Sequence, residues 1–482
     1  MAQGHLIPMV DIAKLIAEQG VTVTIVTTPF NASRFERIIN RAVESKLPIR
    51  LLNLRFPCKE VGLPERCESL DIAPSRNLIT KFFMAVNMLQ QPLEEFLKEQ
   101  EPRPSCIISD FCLPWTSETA IRFQIPRLVF HGTCCFSLLC SHNVLRYNAH
   151  ESVPSDSELL IIPGLPQEIS ITKAQLPGAF IPSSDLDDIR NKMRQAEAMS
   201  YGVVVNSAME LELGFIEEYK RAVQKNIWCI GPVSQCNQNN LDKYERGNAA
   251  SIDETDISRW LDARKPKSVI YACLGSQCRL VPSQLIEIGL GLEASNHPFI
   301  FVVRHGNGFS EFERWLEEGF EARIEGKGLL IKGWAPQLLI LSHTSIGGFL
   351  THCGWNSTLE AICAGVPLLT WPLFAEQFLN EKLVVQVLGV GVSVGVRIPV
   401  RWGDEEKVGI LVKRDELEKA VRKLMDDGDE IEERRKRVGE LGAKARMSAD
   451  GGSSYVNITL LIEDIKNQAT QRNQNQDCIT KT

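Results

Sequence analysis

No stretch of this chain is long and apolar enough to span a bilayer. The longest uncharged apolar run, Ala361 to Phe374, has 14 residues and two prolines, against the roughly 18 to 20 that a spanning helix needs. No secretory signal is expected either, because Asp11, Lys14 and Glu18 interrupt the apolar residues that follow Met1. A basic excess is lacking: the formal charge is −7, which argues against a general nucleic-acid or anionic-membrane surface but leaves room for a local basic pocket for a diphosphate. The fourteen cysteines contain no C-x-x-C pair and no repeated spacing, so they read as reduced core thiols of a cytoplasmic protein, not metal or redox groups. Low complexity is confined to the polar QRNQNQD end. A dinucleotide fingerprint is absent too, since its only near match, Gly389-Val390-Gly391 with Gly395, follows a helical segment and enters a strand. Small-molecule partners are what remains.

What is present is length and rhythm. A chain of 482 residues exceeds one core, and the pattern divides it in two. Pro8 stands at a plausible first helical position, Met9, Ile12, Ala13 and Ile16 recur at helical spacing, and Gly20 stops the helix before the β-branched strand Val21 to Thr27. Strands are expected at Ser105 to Ile108, with Asp110 at the end, then at Arg127 to Phe130 and Tyr201 to Asn206. The segment around CNQNNLDKYERGNAAS is polar, lacks a periodic apolar face and reads as a linker at 236–252. The rhythm then restarts, with strands at Ser268 to Leu274, Phe299 to Val303, Leu329 to Lys332, Ile346 to Thr351 and Val390 to Val396, and helices at Pro282 to Ser295 and Glu376 to Leu388. Two doubly wound α/β domains, 1–235 and 253–450, follow from this alternation. Gly451 to Ser454 breaks the chain before a last helix at 451–470 and a polar tail at 471–482.

The most informative stretch runs from Trp334 to Gln377. A short apolar strand leads through His352-Cys353-Gly354-Trp355-Asn356 into a helix expected to begin near Ser357. A phosphate suits that junction, because the first turn of a helix offers unpaired N–H groups and a positive dipole end, and Gly354 lets backbone approach a ligand. All 44 positions of the segment resemble the signature box of the plant secondary-product UDP-glycosyltransferases, W-x-P-Q, H-x-G-W-N-S, E, G-V-P and D/E-Q. The resemblance extends to GHLIPMVDIAKLIAEQG near the start, SDFCLPW at Ser109 to Trp115 and CLGS at Cys273 to Ser276. The chain is most similar to the branch that glucosylates flavonoids, cytokinins, brassinosteroids and triterpenoids.

That resemblance implies the GT-B fold, two Rossmann-like domains facing across a cleft, with the last helix packed back on the N-terminal domain. It implies His5 as the base and Asp110 as its charge-relay partner. Chemistry agrees, because a neutral imidazole can take the acceptor's proton, and a carboxylate on its far nitrogen fixes the tautomer and stabilises the imidazolium. It further implies a uracil stacked on Trp334, base and ribose contacts from Ala335 and Gln337, and ribose hydroxyls on Glu360. The diphosphate falls to Ser276, His352, Asn356 and Ser357, and the sugar to Trp355, Glu376 and Gln377. Trp355 and Gln377 point to UDP-glucose as co-substrate, with no metal and no other cofactor. His343 is expected to brace a strand. Acceptor contacts are expected from His5, Thr133 and Ala375, with Phe82, Phe83 and Cys134 as further candidates.

Other readings compete at several of these positions. A histidine near a terminus is commonly just exposed, Asp110 would also serve as a helix N-cap ahead of Pro114, and Ser357 to Glu360 has the form of a capping box. Family members usually carry an apolar strand before the A-Q-G-H motif, central in its sheet. Without it His5 is expected in a mobile loop, and a non-catalytic binder or impaired enzyme becomes the alternative function. A UDP-sugar epimerase would share the donor site but lack a base opposite an apolar acceptor pocket.

Overall fold

The computed structural model describes residues 2–180, 186–212, 214–304 and 310–480. Two parallel sheets organise it. In the C-terminal half, β9 (Val269–Cys273), β10 (Phe299–Val303), β11 (Gly328–Lys332), β12 (Ile346–Thr351), β13 (Leu368–Thr370) and β14 (Gly391–Ser393) run in the order β11-β10-β9-β12-β13-β14. Every pairing is parallel. The central strands are continuously apolar, as strands covered by helices on both faces must be. Residues 346–351 of β12 are all buried.

The N-terminal half contains β1 (Val23–Thr27), β2 (Ile49–Asn53), β3 (Ile107–Asp110), β4 (Arg127–His131), β7 (Gly202–Val205) and β8 (Asn226–Cys229), with β5 (Leu159–Ile161) and β6 (Ser170–Thr172) as a small antiparallel hairpin. Its main sheet is split. β1 pairs only with β2, while β3-β4-β7-β8 forms a separate parallel set. No ladder joins β1 to β3 among the described residues. A cavity of about 710 Å³ lies there, lined by Val23, Ile25, Ile107, Leu128 and Leu461 among others.

Helix Gln3–Glu18 departs from expectation at its start. Pro8 is not its first residue but lies inside it, so no N–H at position 8 can pair with the carbonyl four residues earlier. That carbonyl, Gly4 O, instead accepts a hydrogen bond from Asn356 Nδ2 at 2.6 Å, across the cleft. His5 is therefore helical, not in a loop. The signature helix is Trp355–Ala364, two residues earlier than expected at its start, and the Glu376 helix is Gln377–Lys382 followed by a wider turn at Leu383–Val387. Strand ends shift by one to three residues against expectation, β3 and β4 running further and β14 stopping sooner; Val394 donates to Thr370 O after β14 has ended.

The segment expected as a linker is ordered by its own contacts and carries a helical turn, Asn240–Tyr244. The last helix, Ser453–Thr480, buries Ile458, Leu461 and Ile465 against Ile12, Leu128, Val204 and Trp228 of the N-terminal half. Tyr201 Oη donates to Asp464 at 2.7 Å and Ser454 Oγ to Gly231 O. Residues 471–480 continue that helix, and 481–482 lie outside the described residues. No helix among the described residues is long and apolar enough to cross a membrane.

Candidate active site

The expected site residues follow the carboxyl ends of parallel strands, where open α/β sheets hold ligands. Asp110 ends β3, Gly132 and Thr133 follow β4, Ser276 follows β9, His352 follows β12, and Glu376 and Gln377 come after β13. A cavity of about 260 Å³ between the two halves is lined by His5, Ser276, Trp334, Ala335, Gln337, His352, Trp355, Asn356, Ser357, Glu360, Ala375, Glu376 and Gln377. Asp110 and Thr133 stand behind that lining. Asp110 reaches it through His5.

His5 Nδ1 lies 2.6 Å from Asp110 Oδ2, with the imidazole 36% exposed and the carboxylate 6%. Burial alone would lower the His5 pKa, but the charge and hydrogen bond of Asp110, helped by Glu376, outweigh it and raise the value above the ordinary 6.5. Burial likewise pushes Asp110 up, yet His5 and the Cys112 backbone N–H bring its carboxyl down to about 2. Asp110 Oδ1 accepts that N–H at 2.8 Å, so the residue both shapes the turn after β3 and holds the imidazole; it does not cap the Trp115–Arg122 helix, whose N-cap is Pro114. Ligand atoms of His5, Asp110 and Cys112 lie within 4.8 Å of one another. Burial, and then Asp110, raise the Cys112 thiol well above its ordinary range.

His352 is gripped between two glycines. A Cβ on Gly275, whose φ is +82°, would stand 2.5 Å from His352 Cε1, and one on Gly354 would stand 2.3 Å from Nε2. Gly354 thus serves the imidazole beside it as well as any ligand. Burial depresses the His352 pKa to about 4, so the ring is neutral at physiological pH, and its Nδ1 is buried with no partner. A neutral imidazole in that position is a hydrogen-bonding group, not a fixed charge.

Gln337 Nε2 donates to Ser357 Oγ at 3.0 Å and to Glu360 Oε2 at 2.8 Å. Glu360 is the sixth residue of its helix, so it does not close a capping box. Trp334 pairs its backbone N–H and C=O with Ser251, and Gly247, at φ +96°, passes so close that a Cβ would come within 2.6 Å of the indole. Asn356 is committed to the opposite half through Gly4 O and Asn206 Nδ2. Trp355 is buried and donates its indole N–H to Asn206 O at 2.6 Å. Gln377 Oε1 accepts from the Leu373 and Phe374 N–H groups at 2.9 and 3.1 Å, leaving its NH₂ for a ligand. Burial raises the Glu376 pKa above 4.5.

Of the further acceptor candidates, Phe82, Phe83 and Cys134 are not on the cleft wall either. Phe82 is fully buried beside Phe56 and Phe83, and Cys134 is fully buried, its thiol against Ser137 and Asn380. Ala375 is exposed in the cleft at φ +54°. Thr133 Oγ1 is buried without a partner. His343 braces the entry to β12 through Ser345 and Asp262.

Comparison with known proteins joins this geometry to a family. Residues 250–419 match the family described as UDP-glucoronosyl and UDP-glucosyl transferase. UDP-glycosyltransferase 73D1 of Arabidopsis thaliana is 54% identical, over 97% of this chain and 96% of that protein. The chain belongs to the UDP-glycosyltransferase family. The crystal structure of Glycyrrhiza uralensis UGT73P12, complexed with glycyrrhetinic acid 3-O-monoglucuronide, superposes with a TM-score of 0.91 at 37% identity, covering 100% of this chain and 97% of that one. Medicago truncatula UGT71G1, complexed with UDP-glucose, gives a TM-score of 0.76 at 28% identity, covering 96% of each chain. The fold is GT-B, and this UDP-glycosyltransferase is an enzyme, not a binding module.

Sequence reasoning missed three contributors to the glycosyltransferase cleft. Asn206 bridges the halves through Trp355 and Asn356. Arg246, in the segment that read as a linker, bonds to both Asp11 and Glu360. Asp11 was read only as a charge that interrupts an apolar run. A lone arginine in a polar loop carries no periodic signal, so only a contact between distant segments could single it out.

Proposed function

We propose that the enzyme moves glucose from UDP-glucose, with inversion, to a hydroxyl group of a small lipophilic plant metabolite of the flavonoid, triterpenoid, steroid or cytokinin kind. The observation that carries this reading is the His5–Asp110 pair, 2.6 Å apart, at the same cleft as Trp334, Gln337 and Glu360. Asp110 occupies Nδ1, so His5 Nε2 is the atom that takes the acceptor's proton as its oxygen attacks C1. The electron pair of the breaking C1–O bond leaves on UDP. Ser276, His352, Asn356 and Ser357 donate to the diphosphate as that charge grows, Trp334, Ala335, Gln337 and Glu360 hold the nucleoside, and Trp355, Glu376 and Gln377 hold the sugar.

UDP-glucose enters as co-substrate and we assign no metal or other cofactor, since the groups proposed for the diphosphate are neutral hydrogen-bonding side chains and not paired carboxylates. A cytoplasmic location is proposed with it. The UDP-glucose of UGT71G1 supports the donor, and the triterpenoid-derived ligand of UGT73P12 supports a lipophilic acceptor. His5, Thr133 and Ala375 are the proposed acceptor contacts. Incubation with UDP-glucose and a panel of such acceptors, resolved by chromatography, tests the proposal. A glucoside with the β-configuration is expected. UDP release without glucoside for every acceptor, or no turnover at all, defeats it.

A further inference from the structure

Arg246 lies between the two halves of the molecule and is buried, at 9% exposure. Its Nε and Nη2 donate to Asp11 Oδ2 at 3.0 and 2.7 Å, while Nη1 donates to Glu360 Oε1. Asp11 is 2% exposed and Glu360 3%. One guanidinium therefore bridges two buried carboxylates from distant parts of the chain, a geometry that a rigid planar fork with five donors can satisfy and an ammonium cannot reproduce. Asp11 is itself fixed, because Asn237 Nδ2 donates to its Oδ1 at 2.9 Å. It sits on the same helix as His5. The other oxygen of Glu360 accepts from Gln337 Nε2 at 2.8 Å. Glu360 thus has each oxygen anchored once, and it lines the cavity between the halves together with Arg246 and Trp334.

We infer that Arg246 is a positioning residue for the nucleotide: anchored on Asp11, it orients the Glu360 carboxylate so that its free lone pairs meet the ribose hydroxyls. This rests on the ribose role proposed for Glu360 and adds to it a residue that acts through Glu360. The arrangement also explains why a doubly anionic pair is tolerated in the interior. Two buried carboxylates without a shared cation would repel each other and lack compensation.

The test compares UDP-glucose with 2′-deoxyuridine-diphosphate-glucose as donors. The wild-type enzyme should prefer UDP-glucose by roughly tenfold or more in kcat/KM, the size of a lost hydrogen bond to a charged group. In Arg246→Lys, the KM for UDP-glucose should rise by about tenfold, the acceptor KM should stay within about threefold, and the preference for the 2′-hydroxyl should collapse towards unity. Asp11→Asn removes one anchor but keeps one carboxylate per guanidinium, so it should fold and lose the preference in part. A variant with ordinary melting behaviour and an undiminished 2′-hydroxyl preference overturns the inference, since a purely structural arginine would not alter that ratio. If Arg246→Lys does not fold, an unchanged ratio in Asp11→Asn overturns it alone. A wild-type enzyme indifferent to the 2′-hydroxyl would refute the Glu360 assignment itself, a separate outcome.

Discussion

At the scale of single residues, the proposed base pair His5–Asp110 should set both the rate and its pH dependence. Replacing His5 with alanine should lower kcat by about 10² to 10⁴ while calorimetric UDP affinity stays near that of the wild type. Because the His5 pKa is raised above 6.5 and the base acts when neutral, kcat/KM should fall as pH drops through that raised value. Asp110→Asn removes the interaction that raises it, so the acidic limb should move to lower pH while the plateau falls by at least about 10². Both shifts also bear on stability. The Asp110 contribution is present above the ordinary 3.8 and is lost as pH falls towards about 2, whereas the His5 contribution is complete below 6.5 and is lost as pH rises through its folded value. A pH–rate profile for wild type and Asp110→Asn separates the limb from the plateau. A limb that stays in place in the variant would contradict the pairing.

At the scale of elements, the first helix carries the proposed base and the last helix covers the N-terminal sheet. Helix Gln3–Glu18 carries His5 and Asp11 and, through the missing N–H of Pro8, leaves Gly4 O for Asn356. The helix was legible from Met9, Ile12, Ala13 and Ile16, but its start was not, because Pro8 resembles a first-turn proline and the real first turn has no capping signal: Ala2 offers no side-chain bond. Helix Ser453–Thr480 closes the N-terminal sheet from outside. Ile458 is 4% exposed there, and Ile458→Ala should cost about 2 to 4 kcal/mol in urea unfolding followed by circular dichroism. A change below about 0.5 kcal/mol would mean that the helix does not contribute to the fold as packed.

At the scale of the whole molecule, the two halves differ in completeness. The C-terminal sheet is continuous over its six strands, while the N-terminal sheet is interrupted between β1 and β3 by the apolar slot. Val26 of β1 is 41% exposed, unusual for parallel strands, which are ordinarily covered on both faces. The native protein should therefore bind an anilinonaphthalene-sulfonate dye under conditions where its circular dichroism is fully folded. Valine-to-aspartate substitution at Val23, which lines the slot, should weaken that fluorescence. No dye signal from the folded wild type would show the slot to be closed in solution.

The sequence by itself determined the α/β rhythm, the division into two domains and the family, because burial on both faces forces runs such as Ile346 to Thr351 and because the box from Trp334 to Gln377 is read residue by residue. It also singled out His5, Asp110 and the side chains proposed for the donor. Only the tertiary structure decided which of their hydrogen-bonding groups are already committed: the Trp355 and Asn356 groups to Asn206 and Gly4, and Glu360 to Arg246. Periodicity records which face of an element is buried. It carries no information about which polar atoms meet across a cleft, since those meetings join residues more than a hundred positions apart through the packing of whole domains.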